Sequence, residues 1–180
     1  IITGNKFDII PVSQILDCPE IEENGNSFEE NSAIKAIAVA KFAKAVLINE
    51  KFFTVADDSG LEIYALNMKP GIFSARYAPT NPERIQRVLN EMKDISDRRA
   101  RFVCVGTIAD SEKVLGSFRG EVYGNIGFEP LGNEGFGYDP IFTPDGYSLT
   151  FAQLGLEMKN KISHRARALT QLAKFISEIY

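Results

Sequence analysis

Between residues 27 and 56 the chain changes its hydrophobic period, and that change limits what it can become. Ser27 followed three residues later by Glu30 makes a capping box, and Ile34, Ile37, Ala38, Phe42 and Ala45 then recur at helical spacing. Residues 51–56 switch to β-formers and run into Asp57-Asp58-Ser59-Gly60, whose turn chemistry predicts the end of a strand. A chain carrying both patterns has to bury a long amphipathic helix as well as strands.

The same reading extends in both directions. Residues 1–3 and 7–12 predict short strands, the second ending near Pro11, and an acidic polar stretch over 17–26 contains the turn pair Asn24-Gly25. Pro82 suits the first turn of a helix that buries Ile85, Val88, Leu89 and Met92. Residues 101–108 and 114–122 predict a hairpin turning near Asp110-Ser111. A glycine-rich segment over 124–137 leads into Tyr138-Asp139-Pro140-Ile141-Phe142. A last helix from about Ser163 is expected to bury Leu169, Leu172, Ala173, Ile176 and Ile179. Neither internal repeats nor a low-complexity linker interrupt the pattern.

With 180 residues, 44% hydrophobic and 24% charged, the expectation is one domain over residues 1–180. A formal charge of −4 argues against non-specific binding to nucleic acid or an anionic membrane, since both would be repelled at long range. A polyanionic substrate must therefore meet a local cluster of basic groups. Cys18 and Cys104 stand far apart without CxxC spacing, so neither a disulfide framework nor a zinc site is supported, and a reducing cytoplasm is the natural compartment. No apolar run approaches the roughly 18 residues of a membrane span, and no signal-like core is present at the start.

Three places carry chemistry. The first is acidic: Glu30 near a helix start and Asp57-Asp58 after a strand. Breaking a phosphoanhydride needs a hard cation on the phosphate oxygens and a base for the attacking water, and carboxylates on two elements can supply both. A capping box also accounts for Glu30, and an ordinary turn for Asp57-Asp58. The second is Phe136-Gly137-Tyr138-Asp139, where aromatic faces suit a purine and glycines allow close approach; a plain core is the alternative. The third is Lys159, Ser163, His164 and Arg165 around the last helix start, where amide N–H groups and basic side chains favour an anion, unless Ser163 simply caps a solvated helix. His164 is the only histidine, which excludes a His-rich metal centre. GxSxG and GxxxxGK[ST] motifs are absent, and Thr3-Gly4-Asn5 is a weak candidate for phosphate donors.

In order along nearly the whole chain, these residues resemble the inosine triphosphate pyrophosphatase family, also called the Ham1-like family of non-canonical purine nucleotide pyrophosphatases. The likeness is carried by Thr3-Gly4-Asn5, Ser27-Phe28-Glu29-Glu30-Asn31 with Lys35-Ala36, Ala56-Asp57-Asp58-Ser59-Gly60-Leu61, and Pro70-Gly71 with Ser74-Ala75-Arg76-Tyr77. It continues through Gly135-Phe136-Gly137-Tyr138-Asp139-Pro140-Ile141-Phe142, Thr150-Phe151-Ala152 and Lys159-Asn160-Lys161-Ile162-Ser163-His164-Arg165. The resemblance implies an α/β fold, an elongated mixed β-sheet flanked by helices, with two lobes and a central cleft, in a homodimer. It implies hydrolysis of ITP, dITP and XTP to the monophosphate and pyrophosphate. Glu30 and Asp58 would bind Mg²⁺, with Asp58 also the base. Thr3, Gly4, Asn5 and Lys6 would cradle phosphates, and Ser59 would touch substrate. Phe136, Gly137, Tyr138 and Asp139 would line the base pocket, and Lys159, His164 and Arg165 would hold both ends of the substrate.

One departure stands out. The family's first motif reads T-G-N-x-x-K and leads into a helix, whereas here Thr3-Gly4-Asn5-Lys6 runs directly into Phe7-Asp8-Ile9-Ile10, with Asp8 where the lysine is expected. Parallel strands need a crossover of about a dozen residues or more, so the reading is that a segment between Lys6 and Phe7 is missing from this sequence. Two rival functions are a Maf-like pyrophosphatase for pyrimidine or modified nucleotides, disfavoured by the FGYD and SHR segments, and a non-catalytic nucleotide-binding protein.

Overall fold

The computed structural model describes residues 8–14, 18–47 and 51–179. The motif from Thr3 to Lys6, the expected first strand and the junction with Phe7 lie outside the described residues. Among the described residues, four α-helices and a five-stranded sheet, in the order β2-β1-β3-β4-β5, make the α/β architecture expected. By its internal contacts the chain divides into two compact units. One holds the described residues of Ile1–Asp58, Val105–Arg119 and Ala168–Tyr180; the other holds Ser59–Cys104 and Gly120–Arg167. No described helix is long and apolar enough to cross a membrane.

In the first unit, helix α1 spans Phe28–Val46 and starts where Ser27 Oγ accepts the N–H of Glu30. Its buried face is not the expected stripe of Ile34, Ile37, Ala38, Phe42 and Ala45. Phe28, Asn31, Ser32, Ala36, Ala40 and Ala43 are buried instead. Small side chains let the helix axis come close to the strands, and its two buried polar groups find partners there. Ser32 Oγ lies 2.7 Å from Thr107 Oγ1, which lies 2.9 Å from Ser117 Oγ, and Thr54 Oγ1 donates to the carbonyl of Ala36 at 2.7 Å. Buried polar groups are tolerated when paired in this way. On helix α4 (His164–Ile179), Leu172 and Ile176 pack with Ile108, Phe118 and Phe175. Ile179, expected inside, is 45% exposed.

Strand β1 (Thr54–Ile63) corrects the expected turn at Asp57-Asp58-Ser59-Gly60: the tetrapeptide lies inside the strand. β1 lies between β2 (Lys69–Pro70), which pairs with Glu62 and Ile63 at its end, and β3 (Arg99–Ala109), and strand pairing outweighs local turn preference. Residues 8–12 form no strand. Ile9 and Ile10 are 78% and 55% exposed, and the chain bends into a 3-10 turn over Val12–Gln14, where Gln14 N–H reaches the Pro11 carbonyl. Pro11 lacks the donor a ladder needs and pre-sets a turn.

The hairpin forms as expected, β3 passing through a turn at Asp110 into β4 (Val114–Ile126), with Asp110 Oδ1 accepting the N–H groups of Glu112 and Lys113. In the second unit, helix α2 (Asn81–Glu91) has a complete Thr80–Glu83 capping box. Strand β5 (Phe142–Pro144) pairs antiparallel with β4. Phe102, Phe142 and Phe151 form the aromatic centre of this unit's core, beside Leu61, Ile63, Val88 and Met92. Helix α3 (Phe151–Ile162) was not expected. Its start is a Thr150–Gln153 capping box, and non-helical backbone at Gly155 breaks its period. Past the break, Leu156 N–H donates to Glu134 Oε2 at 3.2 Å, which gives the second half of α3 its own cap.

Candidate active site

Asp58 sits on β1 in the first unit and is 8% exposed. Asn31 and Lys35, one turn apart on α1, both reach it: Asn31 Nδ2 donates to Oδ2 at 3.1 Å, and Lys35 Nζ stands 3.4 Å from Oδ1. The same ammonium donates to Glu23 Oε1 at 2.9 Å. Burial pushes the Asp58 carboxyl above its ordinary value, against the opposing pull of Lys35 and the Asn31 hydrogen bond, and the Glu23 charge adds to the rise. Desolvation therefore outweighs the ion pair, leaving a carboxylate more basic than one in water.

Glu30 is on the exposed side of the α1 start, where its Oε2 accepts the N–H of Asn26 at 2.7 Å. That hydrogen bond falls one residue before the N-cap, so of the expected capping box the Ser27 half forms while Glu30 secures the turn leading into the helix. The acidic neighbour that faces Asp58 across Lys35 is Glu23, from the stretch read as acidic and polar but given no role. Among the described residues, no three His, Cys, Asp or Glu side chains gather as a metal cage. The donor chemistry around Lys35 nevertheless suits a hard dication, because two carboxylates converge on one cationic atom. Mg²⁺ commonly takes one or two carboxylates and completes its shell with water and phosphate.

The second unit assembles the other candidates. Phe136 is 54% exposed, with Lys159 Nζ 3.7 Å from its ring centre and the Arg165 guanidinium carbon 5.5 Å away. Asp139, 1% exposed, is the hub beneath: its Oδ2 accepts the Phe136 N–H at 2.8 Å and pairs with the Lys159 ammonium. Gly135 has φ +80°, and a Cβ there would fall 2.1 Å from that oxygen, so only glycine permits the arrangement. Burial pushes the Lys159 ammonium below its usual range, opposed by its hydrogen bond and charge attraction to Asp139.

The remaining residues take other places. Tyr138 is buried, its hydroxyl donating to the Ser74 carbonyl at 2.9 Å, so its ring belongs to the core. Lys159 is carried by α3 rather than by the last helix. His164 is buried with its ring stacked 4.7 Å from that of Phe102, and Ser163 Oγ caps α4 by accepting the Ala166 N–H. The open positive pocket expected at that helix start is thus reduced to Lys159 and Arg165 beside Phe136. Ser59 lies half-buried on β1, next to Asp58 in the chain.

Asn31, Lys35 and Glu23 were not assigned roles from the sequence. The i, i+4 spacing of Asn31 and Lys35 places both on one helix face and was the available signal. Glu23 had none, because its approach depends on how the loop before α1 folds back.

A sequence model of the Ham1 family matches residues 1–175. The chain belongs to the Ham1 family. Among Ham1-family relatives, a protein of Oceanobacillus iheyensis named dITP/XTP pyrophosphatase is 47% identical over 97% of this chain and 89% of its own length. The solved structure of a HAM1 protein from Coxiella burnetii superposes with TM-score 0.87 at 42% identity, covering 97% of this chain and 88% of that one. The Staphylococcus aureus Ham1 protein gives TM-score 0.85 at 40% identity over 96% and 88%.

Proposed function

We infer that this Ham1-family chain is a dITP/XTP pyrophosphatase, hydrolysing non-canonical purine nucleoside triphosphates to the monophosphate and pyrophosphate. The relatives' names give the substrate class. The buried Asp58 carboxylate, held by Asn31 and Lys35, is the observation in this chain that carries the chemistry.

In this reading Asp58 accepts a proton from water, and the water oxygen bonds to the α-phosphorus while the α–β bridging bond breaks and pyrophosphate leaves. Mg²⁺ would be held by Asp58 with a second carboxylate, Glu30 by the resemblance or Glu23 by its nearness to Lys35. Bound there, it supplies charge neutralisation for the phosphate oxygens. Phe136 offers the stacking face for the purine, with Lys159 and Arg165 setting its cationic surroundings, and Ser59 contacts substrate. Thr3, Gly4, Asn5 and Lys6 serve the phosphates. Donors at the purine 6-position favour an oxo group, since facing an amino group would leave a buried donor unpaired. The working form in this reading is a cytoplasmic homodimer, which sedimentation at micromolar concentration tests.

The deciding experiment is pyrophosphate release from dITP, XTP, ITP, ATP, dTTP and UTP, with Mg²⁺ and after its removal by chelation. Preference for the first three and dependence on the metal are expected. Preference for pyrimidines, or binding without turnover, overturns the reading. Mg²⁺ titrations of Glu23→Gln and Glu30→Gln identify the second carboxylate by which variant needs more metal.

A further inference from the structure

Asn31 is fully buried and has two arms in use. Its Oδ1 accepts the Gly25 N–H at 2.9 Å, and its Nδ2 donates to Asp58 Oδ2 at 3.1 Å. The orientation of the amide follows from chemistry, because a backbone N–H only donates and a carboxylate only accepts. Gly25 is pressed onto this side chain so closely that a Cβ there would lie 2.7 Å from Asn31 Oδ1. Asn31 thus ties the loop before α1, the helix itself and β1 to one point.

The geometry also divides the labour of the two Asp58 oxygens. Oδ2 is taken by a neutral amide, and Oδ1 faces the Lys35 ammonium. The terminal torsion of an aspartate is soft and nearly two-fold, so a carboxylate without a directional partner swings through a wide arc. A single buried donor on one oxygen removes that freedom. We propose that Asn31 is a positioning residue, holding the Asp58 carboxylate in one orientation so that the same oxygen always meets the reacting water. The proposal rests on the reading of Asp58 as the base.

Asn31→Asp separates the two arms. It keeps an acceptor for Gly25 N–H and replaces the donor with a carboxylate oxygen facing Asp58. The expected result is kcat for dITP lowered on the order of tenfold to a hundredfold with KM little changed, as for a misplaced catalytic group. Asn31→Ala should lose as much. Near-normal kcat in Asn31→Asp overturns the proposal, because a residue that merely anchors the loop would be preserved by it.

A stability cycle supplies the readout independent of turnover. Asn31→Asp should lower Tm by on the order of 5 °C, and adding Asp58→Asn should restore most of that by reversing the direction of the hydrogen bond. A double variant no more stable than Asn31→Asp overturns the clamp. If Asp58→Asn alone turns over normally, the catalytic reading of Asp58 fails instead, and the stability cycle alone judges the pairing.

Discussion

The ammonium of Lys159 lies 3.7 Å from the centre of the Phe136 ring while it also pairs with the carboxylate of Asp139. One lysine thereby balances a buried acid and polarises an exposed aromatic face, and Asp139 in turn fixes the Phe136 backbone. The ring's orientation and its electrostatics come from the same three residues, which yields separable expectations.

Phe136→Ala should raise KM for dITP roughly tenfold or more, since stacking is worth about 1–3 kcal/mol per base, with little change in stability. Tyr138→Phe should do the opposite. It removes only the hydroxyl bonded to Ser74, lowering stability by about 1 kcal/mol and leaving KM near its original value. Steady-state kinetics and denaturant unfolding on the two variants check the contrast.

Lys159→Met strands Asp139 as a buried charge without its partner. Breaking such a pair costs about 3–5 kcal/mol. A urea midpoint unchanged from the parent protein would falsify the view that these two residues depend on each other. Asp139→Asn together with Lys159→Met should recover much of the loss, because the charge is then absent.

Alkaline pH should separate stability from binding. Lys159 has its folded-state value depressed below 10.5 by burial, so in the window between the depressed value and 10.5 the unfolded chain holds the proton more tightly. Its contribution to stability therefore rises with pH across that window, as the burial penalty on the charge is relieved. Substrate affinity should fall across the same window as the ring loses the nearer of its two cations, Arg165 remaining charged. Lys159→Arg, which stays charged, should lack both changes when unfolding and KM are followed from pH 8 upward.

Asp58→Asn should fold and bind nucleotide yet turn over dITP by orders of magnitude more slowly. Because burial disfavours the charged Asp58, the variant should be no less stable than the parent at neutral pH. Thermal unfolding beside pyrophosphate release tests both halves.

The sequence tags named Phe136, Asp139, Lys159 and Arg165 as candidates, and the structure gathers those four. What the sequence hid were pairings between distant segments. The turn preference of Asp57-Asp58-Ser59-Gly60 is real locally but loses to a ten-residue strand that carries the tetrapeptide in its interior. The apolar stripe of α1 pointed to Ile34 and Phe42, whereas close packing selected Ala36, Ala40 and Ala43. Helix α3 escaped notice because the break at Gly155 divides its period. His164 looked like an anion ligand by position, and only three-dimensional packing reveals its partner, Phe102.

A helix face made of alanines is slippery, since a methyl group one turn along fits almost as well as the next. The hydroxyl chain from Ser32 through Thr107 to Ser117 works as an index mark on that smooth surface. Sliding α1 by a turn would break the Ser32–Thr107 contact while Ser32 keeps the Glu29 carbonyl and Thr107 keeps Ser117. The mark is therefore worth about one hydrogen bond, roughly 0.5–1.5 kcal/mol. Asn31 and Lys35 inherit their height along β1 from this mark, and so the partners of the Asp58 carboxylate are placed by small alcohols that never touch it.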